Sequence, residues 1–517
     1  MKKYVFITGG VISSLGKGIV AASIARLLKD QGLKVNMLKC DPYLNVDPGT
    51  MSPNEHGEVF VTYDGGETDL DIGHYERFLS KNLTKNSSFS SGKLYSKIID
   101  KERNGEFLGK TVQIIPHVTD EIKNMFKLNA KDHDIVFIEI GGTVGDIESQ
   151  PYLEAIRQMQ NEENVFLIHC AYVPYLKVSN ELKTKPVQHS VKELQSYGVK
   201  PDMVVCRSEV NLSDKEIEKI ALFCNIKKEN VIQSIDLKSV YELPLKLKEQ
   251  NVDRIIANYF NLNLKDSKHQ ELQEIVKTIN ADNLREIRVG IFGKYHLDDA
   301  YISVIEAIKH AGLFLKVKPK IDLIDVKKAK NYQDYDAIIV PGGFGDSGTN
   351  EKMEVIRYAR ENNVPFLGIC LGMQLSIVEF ARNVCNLDVV HGEFSEGNQI
   401  ITLLKDQDVH KLGGTLRLGE YECMLEKDSL AHKIYNCDII KERHRHRYEF
   451  NNEYKNELIE HGMKLSGINP QENLLEIIEI PENKYFIASQ FHPELSSKLT
   501  SPNPLFVGLL KACIEEE

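Results

Sequence analysis

One cysteine is framed by glycines in Gly368-Ile-Cys370-Leu-Gly372, between a strand-like run, Phe366–Ile369, and a helical pattern, Met373–Arg382. This is the layout of a nucleophile elbow. Small neighbours relieve a crowded turn, and the sulfur stands clear at the head of a helix whose dipole favours thiolate. Backbone N–H groups beside such a nucleophile form part of an oxyanion hole, most naturally that of Leu371, with Gly343 of Pro341-Gly-Gly-Phe-Gly345 as the second donor. A thiolate needs a base, and Phe491-His492-Pro-Glu494 follows the strand-like run Tyr485–Gln490. Residues i and i+2 of an extended segment point the same way, so Glu494 is placed to orient His492 while the imidazole faces Cys370. A lone buried cysteine is usually inert core and a lone histidine usually structural. The three together, each at a fitting element end, point to nucleophilic catalysis.

The front half of the chain carries a different chemistry. Thr8-Gly-Gly-Val-Ile-Ser-Ser-Leu-Gly-Lys-Gly18 follows the first strand-like run and precedes a helical pattern, which aims backbone N–H groups and Lys17 at a possible polyphosphate. The generic P-loop pattern is not met: Val11 stands where it needs glycine and Gly18 where it needs a hydroxyl. A plain strand-to-helix turn remains the alternative. Without that hydroxyl a magnesium ion needs other oxygen ligands, and Asp71 and Glu139 qualify: Glu139 ends a buried strand-like run, where ligands bind in open α/β sheets. Lys183-Thr-Lys-Pro-Val-Gln188, with Lys219 downstream, reads either as a second anion site or as a solvated loop.

These residues need elements to hold them. Short β-rich runs at Tyr4–Thr8, Val35–Leu38, Asp134–Ile140, Val165–Cys170 and Met203–Cys206 alternate with helical patterns, as do Arg288–Phe292, Ile321–Ile324, Ala337–Val340 and Phe366–Ile369 in the rear half. That alternation predicts an α/β protein of two domains, each with a mostly parallel sheet flanked by helices. The domains are placed at 1–260 and 287–517, with a polar linker at 261–286. A length of 517 residues also exceeds what one core of roughly 250 to 300 residues supports. With 42% hydrophobic and 27% charged residues, the composition is that of an ordinary globular chain. A net charge of −11 argues against a nucleic-acid or membrane-surface partner. Nine scattered cysteines without a Cys-x-x-Cys pair, and no apolar stretch of about 18 residues, predict a cytoplasmic protein with reduced thiols.

Two resemblances add to this reading. Gly368–Gly372 with His492-Pro-Glu494 looks like the class I glutamine amidotransferases, from about Arg288 to the end. The front half is similar to the amidoligase domain of the CTP synthase family, through Gly9–Gly18, Lys39-Cys-Asp-Pro-Tyr43, Asn45–Pro53, Asp69–Arg77 and Lys183–Ser190. The resemblance implies ATP-dependent amination of UTP to CTP by ammonia from glutamine, through a 4-phosphorylated UTP and a glutamyl thioester. It implies that Ser14, Leu15, Gly16, Lys17, Gly18 and Ile19 wrap the ATP phosphates, with Arg207 and Leu237 near the adenine and Asp71 and Glu139 holding Mg²⁺. Ser13, Lys39, Gln113, Asp146, Ile147, Glu148, Lys183, Thr184, Lys185, Pro186, Val187, Gln188 and Lys219 would hold UTP or CTP. Gly343, Leu371, Gln374, Glu393 and Arg447 would hold glutamine. Arg447 ends Arg443-His-Arg-His-Arg447, which by itself also reads as a solvated basic face; a bidentate guanidinium suits an α-carboxylate.

The family further implies a homotetramer, feedback by CTP, GTP as an activator and a closed ammonia passage near Pro53, His56 and Val59. Two departures stand out. Cys40 replaces an apolar residue, and the segment from Ser395 to Leu412 is short, with Asp408-Val-His-Lys411 in place of an expected arginine, so a weak GTP response is expected. Two rival readings remain: another ATP-dependent amidoligase of the cobyrinate amidase kind, in which the triad glutamate is commonly lost, and a catalytically silent nucleotide-binding scaffold. The presence of Glu494 weighs against the first, and an intact Cys370, His492 and Glu494 against the second.

Overall fold

The computed structural model describes residues 2–405 and 415–515. The chain packs into two units: Met1–Asp47 with His74–Asn280, and Pro48–Gly73 with Ala281–Glu517. The second unit thus includes a piece of the front half of the sequence. The stretch taken as a linker contains a helix, Gln270–Ile279, which packs in the first unit: its Leu272 is buried, and Glu271 pairs with Arg26. Its apolar residues Leu272, Ile275, Val276 and Ile279 recur at helical spacing, but among polar neighbours they read as a weakly patterned stretch.

In the first unit a seven-stranded sheet is built from β1 (Lys3–Gly10), β2 (Val35–Asp41), β3 (Ser88–Ser90), β4 (Ile135–Ile140), β5 (Asn164–Tyr172), β6 (Met203–Ser208) and β7 (Val231–Ile235). Their order is β7-β6-β5-β1-β4-β2-β3, and every pairing is parallel. Helices cover both faces, which is why β4 reads Ile-Val-Phe-Ile-Glu-Ile with every position buried. From β1 the chain builds toward β2 on one side and later toward β5, β6 and β7 on the other. The C-terminal end of β1 is therefore a topological switch point, the place where ligands enter such sheets, and the glycine turn begins there.

The second unit holds β8 (Glu286–Gly293), β9 (Lys318–Asp325), β10 (Ala337–Val340), β11 (Phe366–Ile369), β12 (Arg417–Leu425), β13 (Ile439–His446), β14 (Lys464–Ile468), β15 (Leu475–Glu479) and β16 (Phe486–Ser489), in the order β9-β8-β10-β11-β16-β15-β14-β12-β13. The expected mostly parallel sheet is found only as far as β16; from there to β13 the four pairings are antiparallel. These antiparallel strands escape a search for apolar runs because buried charges pair across them, as Arg417 does with Glu476 at 2.9 Å. The run Arg443–Arg447 lies on and just past β13 with Arg443, His444 and His446 buried, so it is not a solvated basic face.

Among the described residues no helix is long and apolar enough to cross a membrane. The residues 408–411 on which the weak GTP response was expected lie outside the described set.

Candidate active site

The turn after β11 is strained where the chemistry requires it. Cys370 has φ 52° and ψ −103° and caps the helix Leu371–Asn383. A non-glycine residue in that region persists only when its surroundings over-determine it. Here they do: a Cβ on Gly372 would lie 2.1 Å from the Val340 carbonyl oxygen, and one on Gly368 would lie 2.8 Å from Ala488 Cβ. The Cys370 N–H donates to Ser489 O at 2.7 Å, which ties the turn to β16. Both flanking glycines are thus consequences of close packing, and the thiol is 5% exposed.

His492 sits beside this turn, its N–H bonded to Arg443 O at 2.8 Å. Its Nδ1 is 2.7 Å from Glu494 Oε1. The expected extended geometry is not what aligns this pair. β16 ends at Ser489, and Pro493 starts a short 3₁₀ turn, Pro493–Leu495, that curls the carboxylate back onto the ring. Burial opposes a charge on His492, but the Glu494 carboxylate first and the Cys370 sulfur second raise its pKa to about 10. The ring is therefore held as imidazolium beside the nucleophile.

Pro341-Gly-Gly-Phe-Gly345 closes the opposite side. A Cβ on Gly342 would come within 2.9 Å of His492 Cε1 and 3.6 Å of Cys370 Cβ, so only glycine leaves room between them. Lys294, at the end of β8, donates to the Phe344 carbonyl, and Glu393 accepts from Gly345 N–H at 3.0 Å. Burial lowers the Lys294 pKa and raises that of Glu393. A cavity of about 660 Å³ results, lined by Cys370, His492, Glu494, Gly343, Glu393 and Arg447 together with Lys294 and Tyr448. Of the residues expected to hold glutamine, Gly343, Glu393 and Arg447 face this cavity. The side chains of Gln374 and Leu371 are buried behind the wall, where Gln374 bonds Tyr448 O and Gln490. Residues of the front half complete the wall: Gly49–Pro53, Glu58 and Val59. Glu58 accepts from Ser303 N–H at 2.9 Å, and Arg445 bonds Glu67 and the Gly49 carbonyl at 2.9 and 3.1 Å. His56 pairs with Asp69 at 3.2 Å.

In the first unit the glycine turn leads into the helix Lys17–Asp30 with Gly16 at φ 78° and Ser14 at φ 56°. No side chain caps this helix, so its first N–H groups and its positive end are available to an anion. Lys17 folds over Gly9, where a Cβ would lie 2.7 Å from its Cδ, and donates to Gly142 O. Leu15, Gly16, Ile19, Arg207 and Leu237 line a cleft of about 250 Å³, and Arg207 pairs with Asp236 at 3.2 Å. Lys183–Gln188 lead into and open the helix Lys185–Ser196, with Thr184 buried and bonded to Gln188 at 3.0 Å. Lys183 pairs with Glu181, whose pKa Lys183 and, more weakly, Lys219 lower. The turn and this helix meet: Ser190 Oγ stands 1.7 Å from where a Gly10 Cβ would be, and His169 bridges Thr8 at 2.9 Å and Ser190 at 2.8 Å. Ser13 and Gln113 occupy exposed loop positions, and Asp146, Ile147 and Glu148 are exposed at the start of the short 3₁₀ turn Ile147–Ser149.

Glu139 is buried at the end of β4 and accepts from Tyr75 OH. On the neighbouring strand Lys39 lies 3.3 Å from Asp41 and 4.0 Å from Glu139. The carboxylates of Asp41 and Glu139 thus lie within 4.0 Å of one ammonium, and they are oxygen donors of the kind a hard cation takes. Asp71 opens the helix Asp71–Leu79 and packs in the second unit. Lys294, Tyr75 and Asp41 are not among the expected site residues; Lys294 and Asp41 stand at the C-terminal edge of a strand, the one signal by which the sequence could have marked them, whereas Tyr75 lies within the helix Asp71–Leu79 and carries none.

The comparisons with known proteins agree with both halves. A family model described as CTP synthase N-terminus matches residues 3–262, and one described as glutamine amidotransferase class-I matches residues 296–512. Curated proteins named CTP synthase are similar over the whole length. The one from Clostridium beijerinckii is 51% identical, covering 99% of each chain. That of Staphylococcus epidermidis is 52% identical, again over 99% of both, and that of Methanocaldococcus jannaschii is 50% identical over 100% of this chain and 99% of its own. Full-length identity at this level, on top of an elbow cysteine with its imidazole and a phosphate-ready turn, leaves one conclusion: the chain belongs to the CTP synthase family.

Proposed function

We propose that this chain converts UTP to CTP, using ATP to activate the uracil O4 and glutamine, or free ammonia, as the nitrogen source. The observation that carries the proposal is the single cavity that joins Cys370, the His492–Glu494 pair and the glycine loop at 342–343. Cys370 attacks the side-chain amide carbon of glutamine while the N–H groups of Leu371 and Gly343 receive the oxyanion. His492 gives its proton to the departing ammonia, and water then clears the thioester with the same ring as base. Glu393 and Arg447 are suited to the α-ammonium and α-carboxylate of the substrate.

In the first unit the open helix end at Lys17–Gly18 and the Lys17 ammonium take the ATP phosphates, the cleft beside Arg207 and Leu237 takes the adenine, and the cluster Lys183–Gln188 with Lys39 and Lys219 takes UTP or the product CTP. Ser13, Gln113 and Asp146–Glu148 belong to the same pyrimidine-nucleotide role. Glu139, with Asp71 and with Asp41 as a further oxygen donor, would hold Mg²⁺, which when bound screens the charge on the transferred phosphoryl group. Phosphate is then the leaving group when ammonia attacks C4. Pro53 and Val59 on the cavity wall suit an ammonia exit. A cytoplasmic homotetramer inhibited by CTP and only weakly stimulated by GTP completes the reading.

The test is direct. Purified protein incubated with UTP, ATP, Mg²⁺ and glutamine should produce CTP, seen by its shifted absorbance. Cys370→Ala should abolish glutamine-driven synthesis and leave the ammonia-driven reaction within about twofold. Equal loss of both reactions would refute this division of labour.

A further inference from the structure

Behind the nucleophile a chain of buried side chains runs in one direction only. The Glu393 N–H donates to His391 Nδ1 at 3.2 Å. Burial pushes the His391 pKa down to about 3, so the ring is neutral and carries its proton on Nε2, which donates to Gln374 Oε1 at 2.9 Å. The amide nitrogen of Gln374 donates to the Tyr448 carbonyl at 2.9 Å and to Gln490 Oε1 at 3.0 Å. Gln490 is left with its own Nε2–H toward Cys370 Sγ, 3.6 Å away. A reversed Gln374 would set lone pair against lone pair at Tyr448, and a reversed Gln490 would set N–H against N–H at Gln374. Two backbone groups with no choice of role, Glu393 N–H and Tyr448 C=O, therefore fix which end of each amide points where. His391, Gln374 and Gln490 are 3%, 4% and 1% exposed, so water does not compete for these bonds.

We propose that Gln490 is a further catalytic residue of the glutaminase reaction, donating its side-chain N–H to the Cys370 sulfur so as to favour thiolate and hold it for attack. This rests on Cys370 being the nucleophile. Hydrogen bonds to charged groups are worth more than neutral ones, so the contact strengthens when the sulfur is anionic and weakens once the S–C bond of the thioester forms. Gln490 keeps its protons throughout. The thiol proton resides on His492 and leaves with ammonia. His391 and Gln374 are positioning residues in this scheme, transmitting orientation from the segment that carries Glu393.

Gln490→Glu keeps the length of the side chain and replaces the donor by an acceptor, while Gln490→Met removes the donor outright. In the full-length protein, glutamate release should lose about tenfold to 100-fold in kcat, with the KM for glutamine changed by less than about threefold. Iodoacetamide labelling of Cys370, followed by mass of its peptide across pH, should show its midpoint raised by about one pH unit. Ammonia-driven CTP formation at the parental level, together with an unchanged thermal unfolding profile of the full-length protein, shows that both units of the variants are folded. An unmoved labelling midpoint, or a loss confined to KM, overturns the assignment. Should Cys370→Ala still release glutamate, the nucleophile itself is misassigned, an outcome separate from any result on Gln490.

Discussion

Replacing Glu494 by glutamine keeps an acceptor oxygen in front of His492 Nδ1 and removes only the charge. Desolvation alone would push this ring below the ordinary histidine value, yet the carboxylate at 2.7 Å and the Cys370 sulfur hold it at about 10. The rise from 6.5 to about 10 corresponds to about 5 kcal/mol in favour of imidazolium. A hydrogen bond to a charged group is worth about 1.5 to 3 kcal/mol, so losing the charge is expected to cost about 10- to 150-fold in the rate of glutamine hydrolysis. The sign in pH follows. Imidazolium is the acid that protonates ammonia, so activity is lost as pH rises through the His492 value, and in Glu494→Gln this alkaline limb moves to lower pH. Glutamate release measured across pH 6 to 10.5 reads both effects, with ammonia-driven CTP formation as the control for folding. A fall of less than about threefold, or an alkaline limb that stays in place, would show that Glu494 does not act through the charge on His492.

Two further predictions concern the first unit. Gly10→Ala should depress ammonia-driven synthesis by about tenfold or more, since its methyl would fall 1.7 Å from Ser190 Oγ. Ser190→Gly in the same chain should recover part of it, with a coupling of about 1 kcal/mol or more in a double-mutant cycle; strictly additive losses would refute the clash. His169 is buried and its pKa is lowered to about 3, so between pH 6.5 and about 3 the unfolded chain takes up a proton that the folded one refuses. Stability therefore falls with acid, by about 1.4 kcal/mol per pH unit below 6.5 from this group. The stability gap between the parent and His169→Gln should narrow by about 2 kcal/mol from pH 6.5 to 5; a gap independent of pH in chemical unfolding would contradict the buried neutral ring.

The elbow was legible because its glycines answer to sterics that any sequence must obey: Gly368 and Gly372 face Ala488 and Val340 at distances no side chain tolerates. The runs at Ala337–Val340 and Phe366–Ile369 match the observed strands residue for residue, since a parallel strand covered on both faces has no polar alternation to blur its limits. What stayed hidden depends on partners distant in sequence. Arg417 and His444 look like surface residues until Glu476 is placed against them. Lys294 bonds a carbonyl that arrives with a later loop, and the chain from His391 to Gln490 is assembled from three separate elements. The Glu494–His492 alignment was expected from strand periodicity and is made instead by the turn that Pro493 starts.

The excursion at Pro48–Gly73 has a bearing on how such an enzyme could ever be taken apart. A fragment beginning near residue 287 would keep the sulfur, the ring and the carboxylate, but Arg443 would lose the Val61 carbonyl and Arg445 both Glu67 and Gly49, so that two guanidinium groups give up charge-assisted bonds they make in the whole chain. Its reaction chamber would also stand open along the side now closed by Gly49–Pro53. Gene fission at the apparent seam would thus yield a leaky hydrolase that spills its ammonia, which gives a physical reason for the two activities to be inherited as one polypeptide.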